Sequence, residues 1–239
     1  MRAAAEQVVE LAALAIESRK RFTWVLAGGS TPRQLYALLA TPSYASRIDW
    51  ARVCFFWGDE RHVPPDHPDS NYDMARAALL APIGALASHV HRMRGELPPA
   101  AGAALYEAEL RSFFAQSEAE RAPAFDLVLL GMGEDGHTAS LFPGTPALLE
   151  KERWVIASDG GKARGERVSL TPVIMNAARQ ITFLVAGASK AARLSQVLRS
   201  NAESKGSLSE APPDLLPVQY IRPADGDLIW LLDAAAAGL

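Results

Sequence analysis

Four strand-like runs in this chain end in the same way. Phe22 to Ala27, Arg52 to Trp57, Phe125 to Leu130 and Ile181 to Ala186 are almost continuously apolar, and each breaks into a loop that begins with glycine and carries polar or charged residues within four positions of it. A strand with one wet face alternates apolar and polar side chains, whereas a strand covered on both faces reads as an unbroken apolar run. Such strands need a layer on each side, and parallel neighbours need a crossover of a dozen or more residues, usually helical. The intervening segments supply helices. Val8, Val9, Leu11, Ala12, Ala15 and Ile16 recur at helical spacing within residues 3 to 20, and residues 101 to 115 and 191 to 199 are further candidates.

The expected class is therefore α/β, with three layers: a mostly parallel, Rossmann-like sheet and helices on both faces. Shorter extended pieces are expected near His89 to Met93, Trp154 to Ala157, Arg167 to Leu170 and Leu228 to Leu232, with a turn at Asp159-Gly160-Gly161. Pro64, Pro65 and Pro68 make Val63 to Asn71 a loop, and Ser70 or Asn71 is placed to cap a helix running to about Leu80. Residues 201 to 217, rich in Ser, Glu and Pro, read as an exposed loop. No repeat or change of composition divides the 239 residues, so one domain over 1–239 is expected.

Charge narrows the partners. With 24 basic and 27 acidic residues the net charge is -3, which provides no field for nucleic acid or an anionic membrane. An anionic ligand must then be met by a few local cations. No apolar stretch approaches the ~20 residues that cross a bilayer. The first helix carries Glu6, Glu10 and Glu17 among its apolar positions and has no signal-peptide core, so a cytoplasmic location is expected. The lone Cys54, inside an apolar run, reads as a buried inert thiol. Nothing in the sequence fixes the oligomeric state between monomer and dimer.

Chemistry on parallel sheets gathers in the loops outside the carboxyl ends of the strands. Gly28-Gly29-Ser30-Thr31 joins a strand to a helix, where glycine lets a ligand approach the backbone and the first free helical N–H groups bind anions. It is no nucleotide P-loop, because Gly-Lys-Ser/Thr is missing. Gly131-x-Gly133-x-x-Gly136, with Asp159 beyond it, matches the spacing of a dinucleotide fingerprint. A Rossmann loop opens directly into a long helix, however, and Pro143, Gly144 and Pro146 forbid one here at ~3 kcal/mol per interior proline. The same loop delivers Asp135 and His137 together. Asp59, Glu60, Arg61 and His62 end the second strand, and the spacing of His62, His67, Asp59 and Asp66 matches no metal motif. Lys190 follows Gly187 at a helix start, and Arg167 offers a forked donor suited to phosphate. No Gly-x-Ser-x-Gly elbow of a serine hydrolase is present.

Four segments, taken together, resemble the 6-phosphogluconolactonase family: Ala27-Gly28-Gly29-Ser30-Thr31-Pro32; Trp57-Gly58-Asp59-Glu60-Arg61 with Ser70-Asn71-Tyr72; Gly131 through Gly144; and Arg167-Val168-Ser169-Leu170-Thr171. The likeness runs in order from about residue 22 to residue 200. Its superfamily includes glucosamine-6-phosphate deaminase, whose central loop reads Asp-Gly-His-Ile-Ala-Phe-Asn-Glu-Pro. Here Asp135, Gly136 and His137 are kept, but Phe142 stands where the deaminase carries the glutamate that orients its histidine. Asp59 matches a carboxylate present in both branches.

The resemblance implies hydrolysis of 6-phospho-D-glucono-1,5-lactone to 6-phospho-D-gluconate, a step of the oxidative pentose phosphate pathway. No redox step occurs, so no nicotinamide cofactor is implied, nor a metal. His137 is the expected acid–base group, with its orienting carboxylate open between Asp135 and Asp59. Oxyanion donors are expected from the glycine-loop amides or Arg61. The phosphate is expected on Gly29, Ser30 and Thr31 beside Gly28, with Arg167 and Lys190 neutralising it. The rival expectations are an amino-sugar-phosphate deaminase or isomerase, against which Phe142 argues, and a non-catalytic sugar-phosphate sensor. Sensors of this kind usually carry a DNA-binding segment, and no helix-turn-helix fits ahead of Phe22.

Overall fold

The computed structural model of the chain describes residues 1–115, 121–203 and 215–239. Its strands, in chain order, are β1 (Phe22–Leu26), β2 (Val53–Trp57), β3 (Asp59–Arg61), β4 (Leu127–Leu130), β5 (Val155–Asp159), β6 (Glu166–Leu170), β7 (Gln180–Val185) and β8 (Asp227–Leu232). The helices are α1 (Arg2–Arg19), α2 (Ser30–Leu39), α3 (Pro42–Ala45), α4 (Asn71–Ala75), α5 (Pro99–Phe114), α6 (Pro172–Met175), α7 (Ala191–Glu203) and α8 (Ala234–Ala237).

Five strands form a parallel sheet in the order β2-β1-β4-β7-β8. Every residue of β1, β2, β4 and β7 is buried, as their unbroken apolar character requires, while the edge strand β8 is only partly covered. Helix α1 supplies Ala4, Ala5, Val8, Ala12 and Ala15 to the core at helical spacing. At the amino edge of the sheet the buried Asp126 accepts from the amide and hydroxyl of Thr23, both at 2.8 Å, and pairs with Arg19 at 2.8 Å. These bonds lock β4 beside β1 and satisfy a carboxylate that would be costly to bury alone.

Because the strands are parallel, β1, β2, β4 and β7 all deliver their following loops to one edge. The chain steps outward from β1 to β2 and returns across the sheet to β4, so the order reverses between β1 and β4. That is where a crevice opens in such sheets.

The mostly parallel, helix-flanked sheet agrees with the expected class, and a second element adds to it. A three-stranded antiparallel sheet, β3-β6-β5, forms from the charged segment that ends the second strand and the two extended pieces expected at Arg167 to Leu170 and Trp154 to Ala157. Three residues are too few to carry a period, so β3 was invisible until its partner β6 was in place. Helix α5 packs on this second sheet. Its Glu107 accepts from the amides of Trp154 and Val155 at 2.9 and 3.0 Å, and the Tyr106 hydroxyl accepts from the amide of Trp57 at 3.0 Å. One helix thereby braces both sheets beside the carboxyl edge.

Two expectations need correction. His89 to Met93 is no strand: a 3₁₀ turn at Ala87–His89 leads to one bridge between Val90 and Phe55, and the His91 ring then stacks on Phe56 at 4.6 Å and pairs with Glu109 at 2.7 Å. Side-chain stacking holds this segment instead of a ladder. Of the loop expected at 201 to 217, residues 204–214 lie outside the described residues. Its end is not exposed: Leu216, Pro217 and Val218 are buried, and a 3₁₀ turn spans Pro217–Tyr220.

Candidate active site

At the carboxyl edge the loops after β1, β2, β4 and β7 enclose a cleft of about 240 Å³. Gly28, Gly29, Asp59, Arg61, His137, Arg167 and Lys190 line it, joined by Asn71 and the backbone of Gly131 to Gly133. Most of the residues singled out in the sequence therefore share one space, although they come from four loops and both sheets. Ser30, Thr31 and Asp135 are the exceptions, each a close neighbour in sequence of a lining residue.

The loop after β4 is built to hold an imidazole. Thr138 Oγ1 donates to the Gly131 carbonyl at 2.8 Å, and the Gly133 amide donates to the His137 carbonyl at 2.8 Å, closing the loop on itself. The His137 ring lies against Gly133 so closely that a Cβ there would run into the imidazole. From outside, the Val218 amide donates to the Gly136 carbonyl at 3.1 Å, and Arg193 of α7 donates to the Glu134 carbonyl at 3.2 Å.

Of the two carboxylates left open by the sequence, Asp135 is the one in contact with the His137 ring. Its Oδ1 accepts from the His137 amide at 3.2 Å and lies 2.6 Å from His137 Nδ1. Closeness in sequence is no bar, since an Asx turn carries an aspartate oxygen back to the residue two ahead. The second oxygen, Oδ2, pairs with Arg164 Nη2 at 2.8 Å. Partial burial alone would raise the Asp135 carboxyl, but the hydrogen bonds from His137 and the Arg164 contact prevail and hold it down at about 2. Phe142, at the position of the deaminase glutamate, is buried against this group, 5.2 Å from the His137 ring and 4.9 Å from the Arg164 guanidinium. Arg164 was not among the residues singled out in the sequence.

Asp59 belongs to a different network. It is buried, accepting from Ser140 Oγ at 2.6 Å and from Asn71 Nδ2 at 3.2 Å. Ser140 in turn donates its amide to Ser169 Oγ at 3.2 Å, so Asp59 ties the histidine loop to the second sheet. Glu60 accepts from the amides of Arg61, Asn71 and Tyr72, each at 2.8 Å, and from Ser70 Oγ at 3.0 Å, while burial pushes its carboxyl up. Ser70 caps α4 as expected, accepting from the Asp73 amide at 3.2 Å.

The remaining wall is cationic. The antiparallel register sets Arg61 opposite Arg167. Arg61 Nη1 donates to the Asp69 carbonyl at 2.6 Å, but its Nε is buried with no partner among the described residues. Arg167 donates through Nε and Nη2 to the Arg164 carbonyl at 3.1 and 2.9 Å. Burial, followed by the like charge of Arg61, lowers the proton affinity of Arg167. Among the described residues, neither arginine nor Lys190 is ion-paired with a carboxylate.

Facing them, Gly29 caps α2 with φ +102, a conformation that favours glycine, and leaves the Ser30 and Thr31 amides of the first helical turn without an acceptor among the described residues. The second expected anion turn differs: the Gly187 amide is already taken, donating to both oxygens of Asp233 at 3.1 Å. Lys190 therefore brings a cation to the cleft without that amide. Cys54, buried with its thiol pushed up by desolvation, lies outside the cleft lining.

The likeness read from four segments extends to the whole architecture. The family model described as glucosamine-6-phosphate isomerases/6-phosphogluconolactonase matches residues 1–230. A 6-phosphogluconolactonase of a Nostoc species is 44% identical over 223 residues, covering 93% of this chain and 86% of that protein. A probable 6-phosphogluconolactonase of Arabidopsis thaliana is 34% identical, covering 97% and 86%. Among solved structures, the 6-phosphogluconolactonase of Trypanosoma cruzi matches with a TM-score of 0.82 at 30% identity, covering 99% of this chain and 91% of that one. With a shared fold, a family match over nearly the full length and the Asp-Gly-His loop seated in the cleft, the chain belongs to the glucosamine-6-phosphate isomerase/6-phosphogluconolactonase family.

Proposed function

We propose that this protein hydrolyses 6-phospho-D-glucono-1,5-lactone to 6-phospho-D-gluconate, the lactonase step of the oxidative pentose phosphate pathway. One observation carries the reading: an imidazole fixed by a carboxylate shares a cleft with cations that have no carboxylate partners. The first suits proton transfer and the second suits a phosphate.

The steps follow from the groups present. With Nδ1 held by Asp135, Nε2 is the nitrogen of His137 left to take a proton from water as it attacks the lactone carbonyl. A C–O bond forms to that water, the ring C–O bond breaks, and the imidazolium returns its proton to the departing ring oxygen. One imidazole can serve both directions, as base toward water and then as acid toward the leaving oxygen, a contribution worth about 10² to 10⁴ in rate. The oxyanion is met by the backbone amides of Gly131 and Met132 or by Arg61, the Gly133 amide being taken by the His137 carbonyl. Arg167, Lys190 and the first turn of α2 at Gly29, Ser30 and Thr31 hold the phosphate, which positions the carbonyl over His137. Asp59 holds the loop and faces the sugar.

This reading takes residues 1–239 as one lactonase domain acting on a small phosphorylated lactone without a nucleic-acid or membrane partner. No helix among the described residues is long and apolar enough to cross a membrane, and a lone buried thiol suits the reducing cytoplasm. The test is lactone hydrolysis by the purified protein at controlled pH, corrected for spontaneous opening, beside ammonia release from glucosamine-6-phosphate. Fast hydrolysis without ammonia is expected; ammonia release without hydrolysis would transfer the protein to the deaminase branch.

A further inference from the structure

Arg164 sits outside the cleft lining, in the turn between β5 and β6, yet touches both of its functional ends. Its guanidinium reaches Asp135 Oδ2 at 2.8 Å, on the side of the carboxylate away from His137, and rests on the Phe142 ring whose neighbourhood includes the imidazole. Its carbonyl accepts both hydrogen bonds of Arg167. The turn itself is short and closed, with the Arg164 amide donating to the Gly161 carbonyl at 3.1 Å and the Gly160 amide donating to the Gly165 carbonyl at 3.1 Å. The side chain is 38% exposed, so the fold does not need it for its core.

We propose that Arg164 is a positioning residue: it completes an Arg164–Asp135–His137 chain that fixes the imidazole and sets how readily it takes a proton. This inference rests on the lactonase reading for its kinetic test but not for its spectroscopic one. The physical content is a competition between two charges. Asp135 beside Nδ1 favours the imidazolium, and a guanidinium on the far side of Asp135 opposes it and withdraws part of the carboxylate's pull. Of the other charged groups lining the cleft, Arg61, Arg167 and Lys190 also oppose the imidazolium, while Asp59 favours it. Among the described residues, Arg164 is the one arginine or lysine that pairs with the carboxylate holding the ring.

Three proteins decide it: the parent, Arg164→Met and Arg164→Lys. In Arg164→Met the acidic limb of the kcat/KM profile for lactone hydrolysis is expected to move up by about half a pH unit. Its kcat should fall roughly tenfold, short of the loss on removing the imidazole. Arg164→Lys keeps the charge and should return the limb to the parent position. The His137 resonances, assigned by their loss in a His137 variant, should show the same upward shift in Arg164→Met when titrated by NMR without substrate. If the parent fails to hydrolyse the lactone, the functional reading falls and this titration still tests the chain. Superimposable titrations in parent and Arg164→Met overturn the proposal, as does a fall in kcat with an unmoved limb, which would make Arg164 only a structural support.

Discussion

The two ends of the cleft treat charge in opposite ways. Around His137, charges are closed into a set: the imidazole on Asp135 and Asp135 on Arg164. Along the other wall Arg61 and Arg167 face each other across a strand pair, Lys190 joins them, and no carboxylate within ion-pair distance compensates any of the three among the described residues. A folded protein places cations together when something outside the chain completes them, because like charges in a half-buried wall are mutually costly. The paired end is suited to moving a proton, and the unpaired end to receiving an anion.

The sharpest way to break this comparison is to remove the imidazole. His137→Ala is expected to lower kcat by about 10² to 10⁴ while leaving KM nearly unchanged, because binding energy resides at the other end. Stopped-flow measurement with the spontaneous rate subtracted checks it, and unchanged turnover would remove His137 from the chemistry.

At the cationic end the expected pattern reverses. Arg167→Ala and Lys190→Ala should each raise KM for the phosphorylated lactone by about tenfold, the cost of losing one charge-assisted contact, with kcat largely kept. Unphosphorylated gluconolactone sharpens the assignment, since its hydrolysis should be indifferent to both substitutions. Equal losses on the two lactones would mean that these cations do not read the phosphate.

How much of this was legible depended on distance along the chain. The buried parallel strands were readable because each run carries its own apolar signature, and the glycine loops because their motifs are local. Asp135 was visible, but its role was not: the Asx turn that folds its carboxylate back on His137 depends on the Gly136 conformation, with φ +82, rather than on composition. Arg164 gave no signal, since a basic residue between Gly161 and Gly165 looks like any solvated turn. It meets Asp135 only after β5 and β6 pair and the Gly131 to Gly144 loop docks through Ser140 on Ser169. Similarly, the facing of Arg61 and Arg167 is a property of antiparallel register between segments far apart in sequence. The Asp-Gly-His spelling, read as an Asx turn, was the one local cue available for the orienting carboxylate.

The smallest expected effect asks whether the closed charge set stabilises the fold as well as serving chemistry. The Asp135 carboxyl is held at about 2, below its ordinary 3.8. A depressed carboxyl contributes stability that is complete above its unfolded value and is lost as pH falls through the folded one. Asp135→Asn should therefore melt below the parent by about 2–4 °C at neutral pH, in line with a contribution near ~1 kcal/mol for a chain of this size. The deficit should persist down to about pH 4 and narrow between there and about pH 2, where the parent loses the same interactions by protonation. Other acid-labile pairs are common to both proteins and cancel in the difference, so the narrowing reports Asp135 itself. A deficit unchanged across that window would mean that the contacts of Asp135 stabilise without its charge, and the contrast between a closed and an open end of the cleft would then concern catalysis alone.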